Sequence, residues 1–119
     1  MSRFFALIAG LVLLAATAFG HSTLERSEPK DGAVLKESPN EIRMWFSEPI
    51  KVQLSSIEVR DKMGKQVDQH NLRADEKQPP LVHLALLPNL APGFYKATWN
   101  AVAQDLHVSK GSFTFRIAP

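Results

Sequence analysis

The sequence contains no cysteine among its 119 residues. Without a thiolate the chain cannot form a blue-copper site or an iron–sulfur cluster, and it has no cysteine nucleophile. Disulfides are excluded as well, so the fold has to be stabilised by its apolar core. A domain of about 100 residues buries enough surface for a two-layer core without covalent cross-links.

Long apolar runs are absent except near the amino terminus. There, Arg3 precedes an apolar run over residues 4–16 (FFALIAGLVLLAA), and residues 17–20 (TAFG) supply small side chains for a peptidase. This order is typical of a secretory signal peptide, and the run is shorter than the roughly 20 residues that span a bilayer. We therefore predict a cleaved signal peptide over residues 1–20 and an exported domain over residues 21–119.

Two cleavage sites satisfy the preference for small residues. Cleavage after Gly20, with Ala18 two residues earlier, makes His21 the first residue of the exported chain. Cleavage after Ala18 leaves Phe19 first instead. The small-residue rule does not choose between them.

A strong excess of charge is also missing. The predicted domain has 13 basic and 12 acidic side chains, because Arg3 is the one basic residue of the leader. No basic run and no basic face is evident in the sequence. The charge pattern therefore gives no reason to expect binding to nucleic acid or acidic lipid.

The sequence after the leader is rich in turn signals, and apolar residues alternate with polar ones between them. Alternation with a period of two is clearest over residues 42–46, 82–86 and 113–117. Nothing in this part favours a long amphipathic helix. The pattern predicts an all-β fold, a Greek-key antiparallel β-sandwich of the immunoglobulin-like type with about seven strands.

Two short features have structural interpretations. The order Leu90, Pro92-Gly93, Tyr95 at the start of a predicted strand is typical of a tyrosine corner, in which the phenol bonds to upstream backbone. Gly111 precedes the last predicted strand and indicates a bulge or a close backbone approach.

Asp105 and His107 lie two residues apart where one extended segment gives way to another. In a strand, positions i and i+2 share a face, so the carboxylate and the imidazole are predicted to lie side by side. Such a pair is half of a metal site. The alternative interpretation is a turn aspartate followed by a half-buried strand histidine.

His21 offers the other half if cleavage makes it the first residue. Its α-amine and its imidazole can then bind the same ion and close a chelate ring. With the imidazole of His107 and an oxygen of Asp105, they form a set of three nitrogens and one oxygen, which suits tetragonal Cu(II). We predict that His70 lies on the surface and that His83 lies on the outward face of a strand, and we assign no ligand role to either.

Four segments together carry a resemblance to a known family: HSTLERSEPKDGAVL at the mature start, IRMWFSEPI, LAPGFYKATW and DLHVSKGSFTF. In this order they resemble the CopC family of periplasmic copper-binding and copper-resistance proteins. The resemblance implies a cupredoxin-like Greek-key sandwich in the periplasm, with one Cu(II) ion per chain bound by His21, Asp105 and His107. It also places Glu48 near the site, either as an acceptor that supports the ligands or as a solvated turn residue.

The sequence departs from some family members in its methionines. Those members have a methionine-rich loop that binds Cu(I), whereas here the mature chain has only Met44, predicted in the core, and Met63, in a turn. We therefore expect no Cu(I) site. The resemblance further implies a copper-binding protein that is not an enzyme and works with a separate inner-membrane copper-transport protein. We expect a monomer that does not bind nucleic acid.

Two other functions remain open at this point. Copper oxygenases that attack polysaccharides use a similar terminal histidine, although this domain is small for such an enzyme. A metal-free immunoglobulin-like interaction module is the second alternative, and it predicts no uptake of Cu(II).

Overall fold

The structure, a computed structural model, describes residues 22–119, so the predicted signal peptide and His21 lie outside the described residues. Eight strands follow one another: β1 Leu24–Glu28, β2 Ala33–Leu35, β3 Glu41–Phe46, β4 Ser56–Asp61, β5 Arg73–Ala74, β6 Leu81–Ala85, β7 Gly93–Val102 and β8 Val108–Ile117. A single turn of 3₁₀ helix, Val52–Leu54, precedes β4. Within the described range, no helix has the length and apolar character to cross a membrane.

The strands form two four-stranded sheets. Sheet A has the order β1-β3-β6-β5, and sheet B has the order β2-β8-β7-β4. Every pair of neighbours is antiparallel except β2 with β8, which is parallel. The predicted β-sandwich is confirmed, with eight strands where about seven were expected.

Alternation along the strands builds the core between the sheets. Because successive side chains point to opposite faces of a sheet, each strand contributes every second residue to the interior. The most deeply buried side chains are Ile42, Met44, Phe46, Val59, Val82, Leu84, Leu86, Ala97, Ala101 and Phe115. Met44 lies in the core as predicted, and the other face of each sheet remains open to solvent.

The predicted tyrosine corner is present at the start of β7. The hydroxyl of Tyr95 donates a hydrogen bond to the carbonyl of Ala91 at 2.5 Å. Its ring stacks on Phe115, with 5.4 Å between the ring centroids. Burial raises the pKa of the Tyr95 hydroxyl, and the Asp61 carboxylate raises it further. The hydroxyl therefore stays protonated and keeps donating to the turn.

Gly111 lies inside β8, opposite Trp99 of β7. The indole of Trp99 covers this position: a Cβ on residue 111 would lie 2.4 Å from Trp99 Cζ2. The indole also contacts Phe113, with 6.4 Å between ring centroids. Gly111 therefore marks a close approach, but it lies within the last strand and not before it, and the approaching group is a side chain and not backbone.

We expect Gly111→Ala to lower the free energy of unfolding by about 1–3 kcal/mol, because the new methyl group would overlap the indole and force it to move. Urea unfolding monitored by tryptophan fluorescence measures this loss. Ser112→Ala, a change at the exposed neighbouring position, is the matched control. Equal stability of the two variants would contradict the packing described for Trp99.

Candidate metal centre

Asp105 and His107 lie in the loop 103–107 that joins β7 to β8. The loop is closed by two backbone hydrogen bonds, from Ala103 N to the His107 carbonyl and from Leu106 N to the Ala103 carbonyl, each 2.9 Å. Leu106 has a positive φ of 72°. The prediction that the pair is carried by a strand is therefore wrong, because the backbone turns between the two residues and strand alternation does not apply.

The turn nevertheless brings the two side chains together. His107 Nδ1 lies 2.8 Å from Asp105 Oδ2, and the backbone N–H of His107 donates to Asp105 Oδ1 at 3.1 Å. An ionised carboxylate can only accept, so Nδ1 carries the hydrogen and the lone pair of the neutral ring is on Nε2. The His107 side chain is 62% exposed. Asp105 is thus a turn residue, as the alternative interpretation held, but His107 is not half-buried in a strand.

Hydrogen bonds keep the Asp105 carboxyl of this loop ionised. The His107 side chain, and after it the His107 backbone N–H, lower the pKa of the Asp105 carboxyl below its ordinary value. The carboxylate therefore stays ionised in mildly acidic solution. It provides a negative charge and two acceptor oxygens beside an imidazole, a combination that attracts a divalent cation.

The first described residue is fixed beside this loop. The Ser22 hydroxyl donates to the carbonyl of Glu48 at 2.7 Å, and the Ser109 hydroxyl donates to the carbonyl of Ser22 at 2.8 Å. Ser22 is only 2% exposed. Since Ser109 follows His107 by two positions, the amino-terminal end of the domain meets the start of β8. Sequence reasoning missed both serines, because nothing in their spacing marks them.

His21 lies outside the described residues and directly precedes Ser22 in the sequence. Within residues 22–119, no three His, Asp or Glu side chains are placed to share a metal ion. A metal bound at this loop therefore needs a further ligand from outside that range or from solvent.

Glu48 contacts Ser22 through its backbone carbonyl, and its side chain is exposed. This contact places Glu48 next to the start of the domain. Whether its carboxylate supports the ligands stays a prediction.

The two remaining described histidines belong to other parts of the molecule. The His70 side chain is 72% exposed in the loop before β5. His83 lies on β6 of sheet A, with Nε2 at 2.8 Å from Asp75 and Nδ1 at 3.2 Å from Glu41. The hydrogen bond between His83 Nε2 and Asp75 is the main reason that the pKa of the Asp75 carboxyl lies below its ordinary value. Sequence reasoning placed His83 on the outward face but did not predict its two carboxylate partners.

Comparison with known proteins gives consistent matches over this domain. A family model described as the CopC domain matches residues 24–118. The copper transport protein CutJ of Bacillus subtilis is 31% identical over 111 residues, 93% of this chain and 20% of CutJ. The chain therefore spans about a fifth of the length of that relative. Copper resistance protein C of Escherichia coli is 30% identical over 122 aligned residues, which cover 93% of each chain.

Solved structures show the same architecture. The crystal structure of CopC from Methylosinus trichosporium OB3b has a TM-score of 0.76 and 26% identity, covering 83% of this chain and 95% of that one. PcoC, described as a methionine-rich copper resistance protein from Escherichia coli, has a TM-score of 0.69 and 25% identity, covering 82% and 99%.

The geometry of the loop predicts opposite tautomers for two histidines in the metal-free protein. Neutral His107 should carry its hydrogen on Nδ1, which faces Asp105. Neutral His70 should carry it on Nε2, because its Nδ1 faces the amide nitrogen of Gln66 at 3.3 Å. Long-range proton–nitrogen correlation NMR distinguishes the two forms. An Nε2–H tautomer at His107 would contradict the contact with Asp105.

Proposed function

The chain belongs to the CopC family, and from this premise we propose that it is a periplasmic protein that binds one Cu(II) ion through His21, Asp105 and His107. Its relatives are named as copper transport and copper resistance proteins, which supports copper as the ion that this chain carries. The observation that carries the proposal is the hydrogen bond between Ser109 and Ser22. It ties the residue next to His21 to the strand that begins directly after His107.

The proposed donors fit Cu(II). His107 supplies an imidazole nitrogen, His21 supplies its imidazole and its α-amine, and Asp105 supplies an oxygen that offsets one of the two positive charges. Three nitrogens and one oxygen are a set that tetragonal Cu(II) accepts, and copper leads the affinity order of the divalent first-row metals. Binding requires the His21 amine to be free, so cleavage after Gly20 is part of the proposal.

The positions of the anchors support this assembly without any movement of strands. Ser109 follows His107 by two positions, which is at most about 7 Å of extended chain. His21 is joined directly to Ser22, whose hydroxyl and carbonyl are both held by hydrogen bonds. We therefore propose that the chain end ahead of Ser22 reaches the carboxylate and imidazole of this loop.

The methionines limit the proposal to Cu(II). Cu(I) prefers soft sulfur ligands, and PcoC is described as methionine-rich. In this chain Met44 is 1% exposed in the core, and Met63 is 90% exposed in the turn after β4. Two methionines in such different places do not form a sulfur site.

The proposed role is to sequester, buffer or deliver copper, without catalysis. The chain corresponds to about a fifth of CutJ, so movement of copper across a membrane is not assigned to it. We propose that the chain acts as a monomer and that a separate inner-membrane copper-transport protein exchanges the ion with it.

Removing a proposed ligand should weaken copper binding while leaving the fold intact, because the loop is exposed. His107→Ala and Asp105→Ala should each raise the Kd for Cu(II) by more than the roughly 10 to 100-fold typical of residues that only support ligands. Competition against a chelator of known affinity measures the change. Asp105→Asn keeps an oxygen that can bind the ion but loses the charge, so its Kd should lie between those of the wild type and Asp105→Ala.

His70→Ala is the matched control, since His70 is exposed and lies outside the loop 103–107. It should bind copper like the wild type. If His107→Ala binds Cu(II) as tightly as His70→Ala does, the assignment of His107 is wrong.

Blocking the α-amine of His21 should distinguish a site that uses a terminal chelate from a site that uses histidine side chains alone. One extra residue ahead of His21 converts the amine into an amide and keeps all side chains. We expect this variant to unfold at the same temperature but to bind Cu(II) at least about 100-fold more weakly, or roughly 3 kcal/mol. The same residue added after Pro119 is the control, and intact mass of the exported protein establishes that His21 is first. Unchanged affinity in the extended variant would rule out the terminal chelate.

The same chelate predicts how binding depends on pH. An α-amine ordinarily has a pKa of about 7.7–8.0 and must lose its proton to coordinate, so affinity should fall as pH decreases through this range. The lowered pKa of Asp105 delays its own protonation to more acidic solution. In a titration of Cu(II) affinity from pH 9 to 6, the affinity of the wild type should therefore begin to fall near pH 8. The same onset near pH 8 in the extended variant would contradict the assignment of this fall to the amine.

A further inference from the structure

The outward face of sheet B is unevenly charged. Its outward-pointing charged residues, from β4, β7 and β8, are four basic and one acidic: Arg60, Lys96, Lys110, Arg116 and Glu58. Residues 22–119 have 13 basic and 12 acidic side chains, so the remainder of the domain has nine basic and eleven acidic. We call this surface the basic face. It has a net charge of +3 on a domain that is otherwise slightly acidic.

Most of this positive charge is not neutralised within the domain. Glu58 pairs with Arg60 at 3.1 Å. Within residues 22–119, no carboxylate oxygen lies within ion-pair distance of Lys96, Lys110 or Arg116. On the outward face of sheet A, by contrast, Arg43 pairs with Glu28. Three cations on the basic face are therefore available to an external anion.

The neighbours of these cations suit phosphate groups at an interface with lipid. Exposed hydroxyls of Thr98, Ser112 and Thr114 lie between them, and hydroxyl and ammonium groups both donate to phosphate oxygens. At one end, Phe94 is 57% exposed and Val34 is 61% exposed. Both are cross-strand neighbours of Arg116, so exposed apolar and cationic side chains occur together.

We propose that the basic face binds the surface of a membrane that contains anionic phospholipid. Strands β7 and β8, ten residues each, extend for about 34 Å, and the outward side chains lie on one broad surface. A planar anionic surface can meet all three unpaired cations at once. Single-stranded nucleic acid is a poorer match, because its binding sites use several aromatic side chains for base stacking and this face has one.

This orientation leaves the candidate metal centre accessible. The loop 103–107 continues β7 and β8 beyond their last pair, Val102 with Val108, so it lies at the end of the basic face. Sequence analysis did not reveal the face because its four basic residues come from three strands and successive ones are separated by 6 to 36 positions. Membrane binding is inferred from the surface charge and does not depend on whether the chain binds copper.

The test is co-sedimentation of the exported protein with vesicles. Protein recovered from the periplasm and free of metal is mixed, at low ionic strength, with vesicles of phosphatidylcholine alone or with an equal amount of phosphatidylglycerol. Each cation near an anionic surface contributes about 1 kcal/mol, or roughly five-fold. We expect partitioning onto the anionic vesicles to exceed that onto the neutral ones by about 100-fold and to fall steeply with added salt.

Location is tested by two variants with the same net charge. Lys96→Glu with Lys110→Glu should reduce partitioning at least about ten-fold. Lys30→Glu with Lys77→Glu changes exposed lysines outside the basic face and should have a much smaller effect. Thermal unfolding shows whether each variant is folded. Equal loss in both variants would mean that only overall charge matters, and this would overturn the proposal. Absence of binding to anionic vesicles, or binding to single-stranded DNA but not to vesicles, would overturn it too.

Discussion

Pairing between β7 and β8 is the interaction on which the other features depend. Ten cross-strand pairs run from Gly93 with Ile117 to Val102 with Val108. A shift of one residue in a strand exchanges its two faces. Such a shift would turn Tyr95 and Phe115 out of the core and turn lysines of the basic face into it. It would also separate Trp99 from Gly111 and rebuild the loop that holds Asp105 and His107. The buried core, the basic face and the candidate metal centre therefore all depend on the register of β7 with β8.

The second constraint is where the chain begins. Ser22 is held at both its hydroxyl and its carbonyl, although it precedes the first strand. Buried polar groups are usually hydrogen-bonded, and these two hydrogen bonds of Ser22 fix the start of the described domain. We propose that signal-peptide cleavage completes the metal site. Cleavage would create the α-amine of His21, and the fixed position of Ser22 would hold that amine near the loop 103–107. The proposed site would bind copper through nitrogen and oxygen alone, in a protein that has no cysteine and few methionines.

Local patterns in the sequence predicted local structure well. Alternation identified Ile42, Met44 and Phe46 as one buried face, and the spacing of Leu90, Pro92 and Tyr95 predicted the tyrosine corner. Asp105 and His107 were predicted as neighbours for the wrong reason, because the positive φ of Leu106 is not visible in the sequence. Long-range contacts could not be predicted: Ser22 and Ser109 are 87 residues apart, and Glu41 and His83 are 42 apart. The basic face could not be predicted from the sequence either, because its residues come together only through the pairing of the strands.

The central claim is that the first residue of the exported chain and the loop 103–107 form one Cu(II) site. Pulsed electron paramagnetic resonance of the copper-loaded periplasmic protein tests it most directly, because echo modulation from the remote ring nitrogen counts the imidazoles bound to Cu(II). The account predicts two coordinated imidazoles in the wild type, with one remaining after the loss of His107. A wild-type signal from a single imidazole, or from none, would contradict it.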